Sequence, residues 1–163
     1  MVTPELLRRL IAYTRWADEK LLAAADGLGA EELDRPREAY FGSLADNLWH
    51  TLTAQRLWLA RWTGQPLPSV ERPATVSWRA AYAASHEALD EYVSRLGPAD
   101  LGRRVTYTPR RGVPREQPLG ELILHLANHG TAHRAEAGLL LERLGRSPGD
   151  LDYTVFMNEV AAR

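Results

Sequence analysis

The residues of this chain best suited to chemistry are its histidines. His125, His129 and His133 follow one another at intervals of four in a segment with helical periodicity, and His50 lies in a second such segment. Side chains four residues apart lie on the same face of a helix, with Cβ atoms about 5–6 Å apart. At that spacing, two imidazole nitrogens can converge on one metal ion at ~2.0–2.1 Å each. The sequence therefore predicts a pair of metal ligands on one helix.

Two such pairs are available, His125 with His129 and His129 with His133. The three rings cannot easily share one ion, because His125 and His133 would be about 12 Å apart along a helix axis. In a heptad register that places Leu119 and Leu126 in the core, His129 and His133 fall in the seam, where a bundle normally has leucine, and His125 falls beside it. We therefore favour His129 and His133 as ligands and assign His125 to a flanking position.

A third ligand has to come from another helix. His50 lies midway along an apolar stripe, whereas His86 has polar neighbours and is expected at the surface. Asp46 and Glu136 are reserve carboxylate ligands. The competing interpretation needs no metal: a buried imidazole costs about 1–3 kcal/mol unless it is partnered, and hydrogen bonds to carboxylates or carbonyls would satisfy it. Spacing alone leaves both interpretations open.

Any metal must be held by histidine, carboxylate or backbone oxygen, since the chain contains no cysteine. Three neutral imidazoles leave coordination positions for water or substrate, which is typical of a catalytic centre. Such an ion can lower the pKa of bound water toward ~7 or polarise a carbonyl group. It can equally bind the thiolate of a small-molecule thiol. Intrinsic affinities do not choose among zinc, nickel and copper for an all-histidine site.

No general base accompanies the histidines in the pattern that metalloproteases use. Gly130 occupies the position of the glutamate in the H-E-x-x-H motif, so a mechanism that depends on that glutamate is not available. The catalytic candidates are Glu136, Arg134 and His125, with Asp46 and Asp152 as further carboxylates. Glu136 is more often a residue that orients an imidazole. Arg134 could meet a substrate carboxylate, although a surface salt bridge is the commoner fate of such a residue.

Four segments with helical periodicity, separated by breaks rich in proline and glycine, must position these side chains. They cover residues 3–26, 43–62, 75–96 and 118–144. Thr3 and Ser43 are expected to cap the first two helices, and Gly64 to end the second. Four helices of about 20 residues without a strong strand pattern predict an all-α fold, an antiparallel four-helix bundle.

The remaining segments are short. Residues 103–117 contain a turn-like Arg110–Arg111–Gly112, which predicts a two-stranded excursion between the third and fourth helices. Residues 151–162 could form a brief terminal helix. The length and the absence of an internal repeat predict a single domain over residues 1–163.

Composition argues against several classes of function. The formal net charge is -1, with acidic and basic residues interspersed, unlike the basic surface of most nucleic-acid binders. No stretch approaches the ~18 uninterrupted apolar residues of a membrane span, and the first residues lack a signal-peptide pattern. We therefore expect a cytoplasmic protein that acts on a small molecule, without nucleic-acid or membrane partners.

Several stretches together resemble the DinB/YfiT-like superfamily of helical-bundle proteins. The matching stretches are residues 13–22, 43–64, 121–145 and 147–156, and the most specific is NHGTAHR at 128–134. The resemblance implies one divalent metal ion, commonly nickel or zinc, on His50, His129 and His133. It thereby favours these three residues over the alternatives that spacing left open.

The resemblance also implies a function. Members are often described as metal-dependent hydrolases, and some are transferases or isomerases that use a small thiol such as mycothiol or bacillithiol. Many are homodimers, which is the expectation here. The alternative is a non-catalytic protein, either metal-binding in a stress response or a metal-stabilised interaction module. The missing glutamate base slightly favours that alternative.

Overall fold

The computed structural model describes residues 2–38, 40–109 and 112–161. It consists mainly of helices, with one small hairpin late in the chain. In chain order the elements are α1 (Pro4–Ala25), α2 (Ala30–Asp34), α3 (Leu44–Thr63), α4 (Trp78–Ser94), a 3₁₀ turn (Pro98–Gly102), β1 (Arg104–Tyr107), β2 (Arg115–Pro118), α5 (Leu119–Glu142) and α6 (Tyr153–Ala161). The predicted all-α bundle and its short excursion are confirmed. The helix α2 has no counterpart among the predicted segments.

The hairpin leads directly into the last long helix. β1 and β2 pair antiparallel, with Val105 opposite Gln117. Val105 is buried in the core, and the Leu119 amide donates a hydrogen bond to the Arg103 carbonyl at 2.9 Å. The hairpin therefore fixes the start of the helix that carries two of the predicted ligands. Arg110 and Arg111 of the predicted turn, like Ala162 of the predicted terminal helix, lie outside the described residues.

The ends of the first long helices follow local sequence signals. Thr3 Oγ1 accepts a hydrogen bond from the Leu6 amide at 3.2 Å, and Ser43 Oγ accepts one from the Asp46 amide at 3.0 Å. Both predicted N-caps are therefore confirmed. Gly64 ends α3 with a φ of 68°, a left-handed conformation that glycine adopts without steric cost.

The four long helices form a square in which α1 and α3 each pack against both α4 and α5. Arg8, near the start of α1, donates hydrogen bonds to carbonyl groups at the end of α4, so these helices are antiparallel. Asn47, early in α3, contacts Glu136, late in α5, which makes that pair antiparallel as well. Tyr82, early in α4, bonds to the Leu48 carbonyl, early in α3. Consequently α3 and α4 run one way, and α1 and α5 run the other.

A polar layer divides the core. On one side lies the largest apolar cluster, which includes Leu7, Ile11, Trp58, Trp62, Leu89, Val105, Leu122 and Leu126. On the other side lies a smaller one, formed by Leu21, Leu44, Leu48, Ala137, Leu140 and Leu141. Between them lie the buried polar side chains of Asp18, Gln55, Ser85, His86 and Arg134. Within the described ranges, no helix combines the length and apolarity needed to cross a membrane.

Candidate metal centre

Three histidine rings from two helices meet at the edge of the bundle between α3 and α5. His129 Nε2 lies 3.3 Å from His50 Nε2 and 3.2 Å from His133 Nε2. The ring nitrogens that the three residues offer to an ion all lie within 4.8 Å of one another. The antiparallel packing of α3 and α5 places His50 opposite the pair on α5. The structure thus brings together the three residues predicted as ligands, in a cluster that could hold a metal ion.

Two of the separations between these nitrogens match those expected around a tetrahedral ion. Two nitrogens that each lie ~2.0–2.1 Å from such an ion are about 3.3–3.4 Å apart, close to the observed separations of 3.2 and 3.3 Å. A ring nitrogen carries either one proton or one lone pair. His129 Nε2 can therefore form a good hydrogen bond with only one of its two neighbours. An ion that all three nitrogens face would account for both contacts.

The surroundings keep the rings of His129 and His133 neutral. The pKa of His129 is lowered from 6.5 to about 4, mainly by burial and then by the neighbouring imidazoles of His133 and His50. Burial also lowers the pKa of His133, although the carboxylate of Glu136 acts in the opposite direction. A metal ligand must present an unprotonated nitrogen. His129 and His133 meet this requirement at neutral pH.

His129 and His133 are half-buried, whereas the heptad register predicts them in the core. The buried face of α5 runs instead through Ile123, Gly130 and Ala137. A straight helix drifts by about 20° per heptad relative to a strict seven-residue repeat, so the leucines at its start do not fix the face at its end. The two rings therefore stand at the edge of the bundle and keep part of their surface exposed.

Phe41 covers one side of the histidine cluster. Its ring stacks on His50 with centroids 4.2 Å apart and meets His133 edge to face at 5.1 Å. These contacts exclude water from one face of His50 and restrict the orientation of both imidazoles. Phe41 lies in the loop between α2 and α3, so no helical periodicity pointed to it. It is a residue of the site that sequence reasoning missed.

The two reserve carboxylates are engaged elsewhere. Glu136 accepts a hydrogen bond from Asn47 Nδ2 at 2.6 Å with one oxygen and one from the Tyr40 backbone amide with the other. Glu136 therefore joins α3, α5 and the preceding loop, and its hydrogen bonds do not orient an imidazole. Asp46 pairs with Arg72 at 3.3 Å. The metal-ligand cluster consists of the histidines without either carboxylate.

His125 lies one helical turn before His129 and outside the cluster. Its ring centroid is 5.8 Å from that of His129, and it packs edge-on against Trp58 at 5.3 Å. Burial of part of the ring lowers the pKa of His125, so the ring is neutral at pH 7. This placement agrees with the flanking position predicted for it.

Arg134 is buried, and the prediction of a surface residue is wrong. Its Nη1 donates to Asp18 Oδ1 at 3.3 Å, its Nη2 donates to Thr131 Oγ1 at 3.1 Å, and its guanidinium lies over the Tyr13 ring. The reason is that position 134 falls on the core face of α5, whereas position 133 falls at its edge. With an exposed fraction of 2%, Arg134 cannot meet the carboxylate of a substrate.

Gly130 makes room for this guanidinium. A Cβ atom at position 130 would lie 2.7 Å from Arg134 Nη1, closer than real Cβ contacts occur. Position 130 also belongs to the buried face of α5. Packing therefore explains why glycine stands between the two histidines, and a glutamate there would point into the bundle instead of serving as a base.

His86 is buried as well, and its prediction as a surface histidine is wrong. Its Nε2 lies 3.0 Å from Asp18 Oδ2, which also accepts a hydrogen bond from Gln55 Nε2 at 2.6 Å. Ser85, a polar neighbour that suggested exposure, donates to Gln55 Oε1 at 2.9 Å within the same network. Sequence reasoning missed Asp18. The available signal was its position two helical turns after Ile11, which places a carboxylate in the apolar stripe of α1.

These observations define a class: a bundle of four long helices whose potential metal ligands, within the described residues, are three histidines from two antiparallel helices. The sequence model of the DinB family matches residues 1–161, and the chain belongs to that family, as predicted. It is similar to Protein DinB of Bacillus subtilis (strain 168), with 21% identity over 159 residues that cover 91% of this chain and 92% of that protein.

Proposed function

We propose that this protein binds one divalent transition metal ion, zinc or nickel, through His50, His129 and His133 and uses it in a reaction of a small molecule. The convergence of three imidazole nitrogens, with separations of 3.2 and 3.3 Å, carries the proposal. The neutral rings of His129 and His133 and the partial exposure of the three histidines at the edge of the bundle support it. When bound, such an ion supplies Lewis-acid polarisation and a position for an oxygen or sulfur atom of the substrate.

The side chains around the histidines favour a thiol-dependent transferase or isomerase over a hydrolase. Hydrolysis needs a group that accepts a proton from water, and Glu136, one turn from His133, is held by Asn47 and the Tyr40 amide. A thiol brings its own nucleophile. Its sulfur bonds to an electrophilic carbon, the leaving group departs with its electron pair, and the thiol proton is released.

The second candidate function is non-catalytic metal binding, in a stress response or in an interaction module. The observation that favours it is the engagement of Glu136 and Asp46 in contacts that hold the fold. In that case, the bound ion would raise the stability of the bundle through linkage, and no substrate would be turned over.

Metal analysis of protein purified without a nickel column, followed by assays, separates these functions. We expect one ion per chain in the wild type and none in His129→Ala. Turnover of a small thiol with an electrophilic substrate, lost in His129→Ala, supports the transferase. Ester or amide hydrolysis without thiol turnover supports the hydrolase, and stoichiometric metal without any turnover supports the non-catalytic function. A wild-type protein that binds no stoichiometric zinc or nickel contradicts the proposal.

We further propose a cytoplasmic homodimer that binds neither nucleic acid nor membranes. Light scattering after size-exclusion chromatography tests the dimer. A mass that corresponds to a single chain at all concentrations would contradict it. Salt-sensitive binding to DNA would contradict the absence of a nucleic-acid partner.

A further inference from the structure

A strip of rings leads from the histidine cluster toward Arg61; His125 is exposed and Tyr107 half-buried, whereas Trp58 is packed in the core beneath them. His129 is followed by His125 at 5.8 Å between centroids, then by Trp58 at 5.3 Å and by Tyr107 at 4.9 Å. Helices α5 and α3 and strand β1 all contribute to it. The strip ends at Arg61, whose guanidinium carbon lies 4.7 Å from the centroid of the Trp58 ring and 5.5 Å from that of Tyr107.

The positive charge of Arg61 faces two aromatic rings and no carboxylate of the described residues. Its Nη2 donates one long hydrogen bond of 3.4 Å to the Thr108 carbonyl, and no carboxylate among residues 2–38, 40–109 and 112–161 pairs with it. Packing against the two rings removes water from the guanidinium, which lowers the pKa of Arg61. By contrast, Arg104 on the neighbouring hairpin pairs with Glu116 at 3.4 Å. A partly desolvated guanidinium without a counter-ion favours a bound carboxylate, which it can contact through two parallel N–H groups.

We propose that Arg61 is an anion subsite of the metal centre and binds a carboxylate at the far end of the substrate. Tyr107 and His125, which keep part of their rings exposed, would then contact the body of the molecule between its two ends. This inference rests on the proposed function, because the reacting end of the substrate is placed at the three histidines. It adds the substrate class: an elongated small molecule with an apolar or aromatic body and a terminal carboxylate.

The positions of the two ends set the length of that substrate. His50 and Arg61 both lie on α3, and their Cα atoms are about 16 Å apart along the axis at 1.5 Å per residue. The Arg61 side chain leans over Trp58, which is one turn nearer to the histidines. The distance to be bridged is therefore about 12 Å, the axial separation of His50 and Trp58. A short metabolite cannot span it.

Two related probes test the subsite by binding alone. Suberic acid monohydroxamate combines a hydroxamate, which binds zinc, with a carboxylate at the other end of an extended chain. Its methyl ester has a similar length but no charge. Calorimetric titration of the zinc-loaded protein measures both affinities. We expect the wild type to bind the acid roughly tenfold or more tightly than the ester, as charge-assisted hydrogen bonds provide, and Arg61→Met to bind both alike.

Two further variants control this experiment. Arg104→Met removes a nearby arginine that is already paired, so it should keep the preference of the wild type for the acid. Arg61→Gln repeats the test with a polar side chain in case Arg61→Met unfolds, which circular dichroism reports. Equal binding of acid and ester by the wild type, or a preference that survives in either folded Arg61 variant, overturns the subsite and leaves the metal centre intact. If zinc does not load, the proposed function fails together with the subsite.

Discussion

The edge of α5 and its core face carry polar side chains of opposite kinds. At the edge, His129 and His133 are half-buried, neutral and turned toward His50. On the core face, Arg134 is charged and 2% exposed, and it donates to Asp18, which is 1% exposed. Positions 133 and 134 are adjacent in sequence, yet a helix places successive side chains on different faces. One helix thus supplies both an external site and an internal network.

The difference lies in how the polar atoms are satisfied. Asp18 accepts hydrogen bonds from Gln55 and Arg134 and contacts the His86 ring, so all of its partners are internal. In the histidine cluster, two rings approach one nitrogen of His129, which can bond well to only one of them. Internal networks of the first kind stabilise and specify a fold. A set of converging nitrogens of the second kind is suited to a cation.

Removal of Asp18 should have the largest effect on stability. Asp18→Ala leaves Arg134 buried without its carboxylate, which we expect to cost about 3–5 kcal/mol in the free energy of unfolding. Urea denaturation monitored by circular dichroism measures this loss. The control is Arg15→Ala, which removes exposed ion pairs from the same helix and should cost less than about 1 kcal/mol. Similar losses in the two variants would show that the internal network does not behave as a buried ion pair.

A methyl group at Gly130 should disturb both faces of α5 at once. Gly130→Ala forces Arg134 Nη1 away from a Cβ that would lie at 2.7 Å, and we expect a loss of about 1–3 kcal/mol in the free energy of unfolding. Zinc affinity should fall as well, because the adjacent histidines move with the helix.

Gly138→Ala on the same helix is the matched control for Gly130→Ala. Its Cβ would meet Pro148 at 3.6 Å, an ordinary contact. It should therefore leave zinc affinity unchanged and change stability by no more than about 1 kcal/mol, in the stabilising direction. If the two variants had equal melting temperatures, the tight packing around Gly130 would be refuted.

The charge of Glu136 should have a moderate effect on metal affinity. Its carboxylate raises the pKa of His133 against the effect of burial, so its negative charge is felt at the cluster. Glu136→Gln keeps the shape of the side chain and removes that charge, and zinc affinity should fall several-fold, as expected for an interaction of about 1 kcal/mol. Competition with a chromogenic chelator measures it. An unchanged affinity would show that the carboxylate serves only the fold.

The smallest effect is expected at His125. A ring outside coordination distance contributes no bond to the ion, so His125→Ala should change zinc affinity by less than about threefold, whereas His133→Ala should abolish stoichiometric binding. The same competition assay applies. The opposite order of effects would assign the ion to His125 and His129.

The architecture and the histidine pair on α5 could be predicted because their signals are local. Thr3 and Ser43 cap helices through bonds to residues three positions ahead, and Gly64 ends one through its own conformation. His129 and His133 share a helix face through their spacing alone. The choice of His50 came from the family resemblance. The match of the DinB family model over residues 1–161 confirms that resemblance.

The internal network could not be predicted, because its partners come from four different helices. Arg134 and His86 look like surface residues in their own segments, and only the packing of α1 against α4 and α5 brings Asp18 to both. Phe41 could not be predicted either, since its contact with His50 depends on the path of the loop between α2 and α3. Burial of polar residues is a property of the assembled bundle, and a single helical pattern does not encode it.

The zinc-edge X-ray absorption spectrum of the zinc-loaded protein tests the central claim most directly. We predict three imidazole nitrogens at ~2.0–2.1 Å, with the remaining coordination supplied by light atoms from solvent. His50→Ala should reduce the number of imidazoles to two, which would show that α3 and α5 share the ion. A spectrum dominated by oxygen ligands, or one that is the same in the wild type, His50→Ala and His129→Ala, would contradict the proposed three-histidine centre.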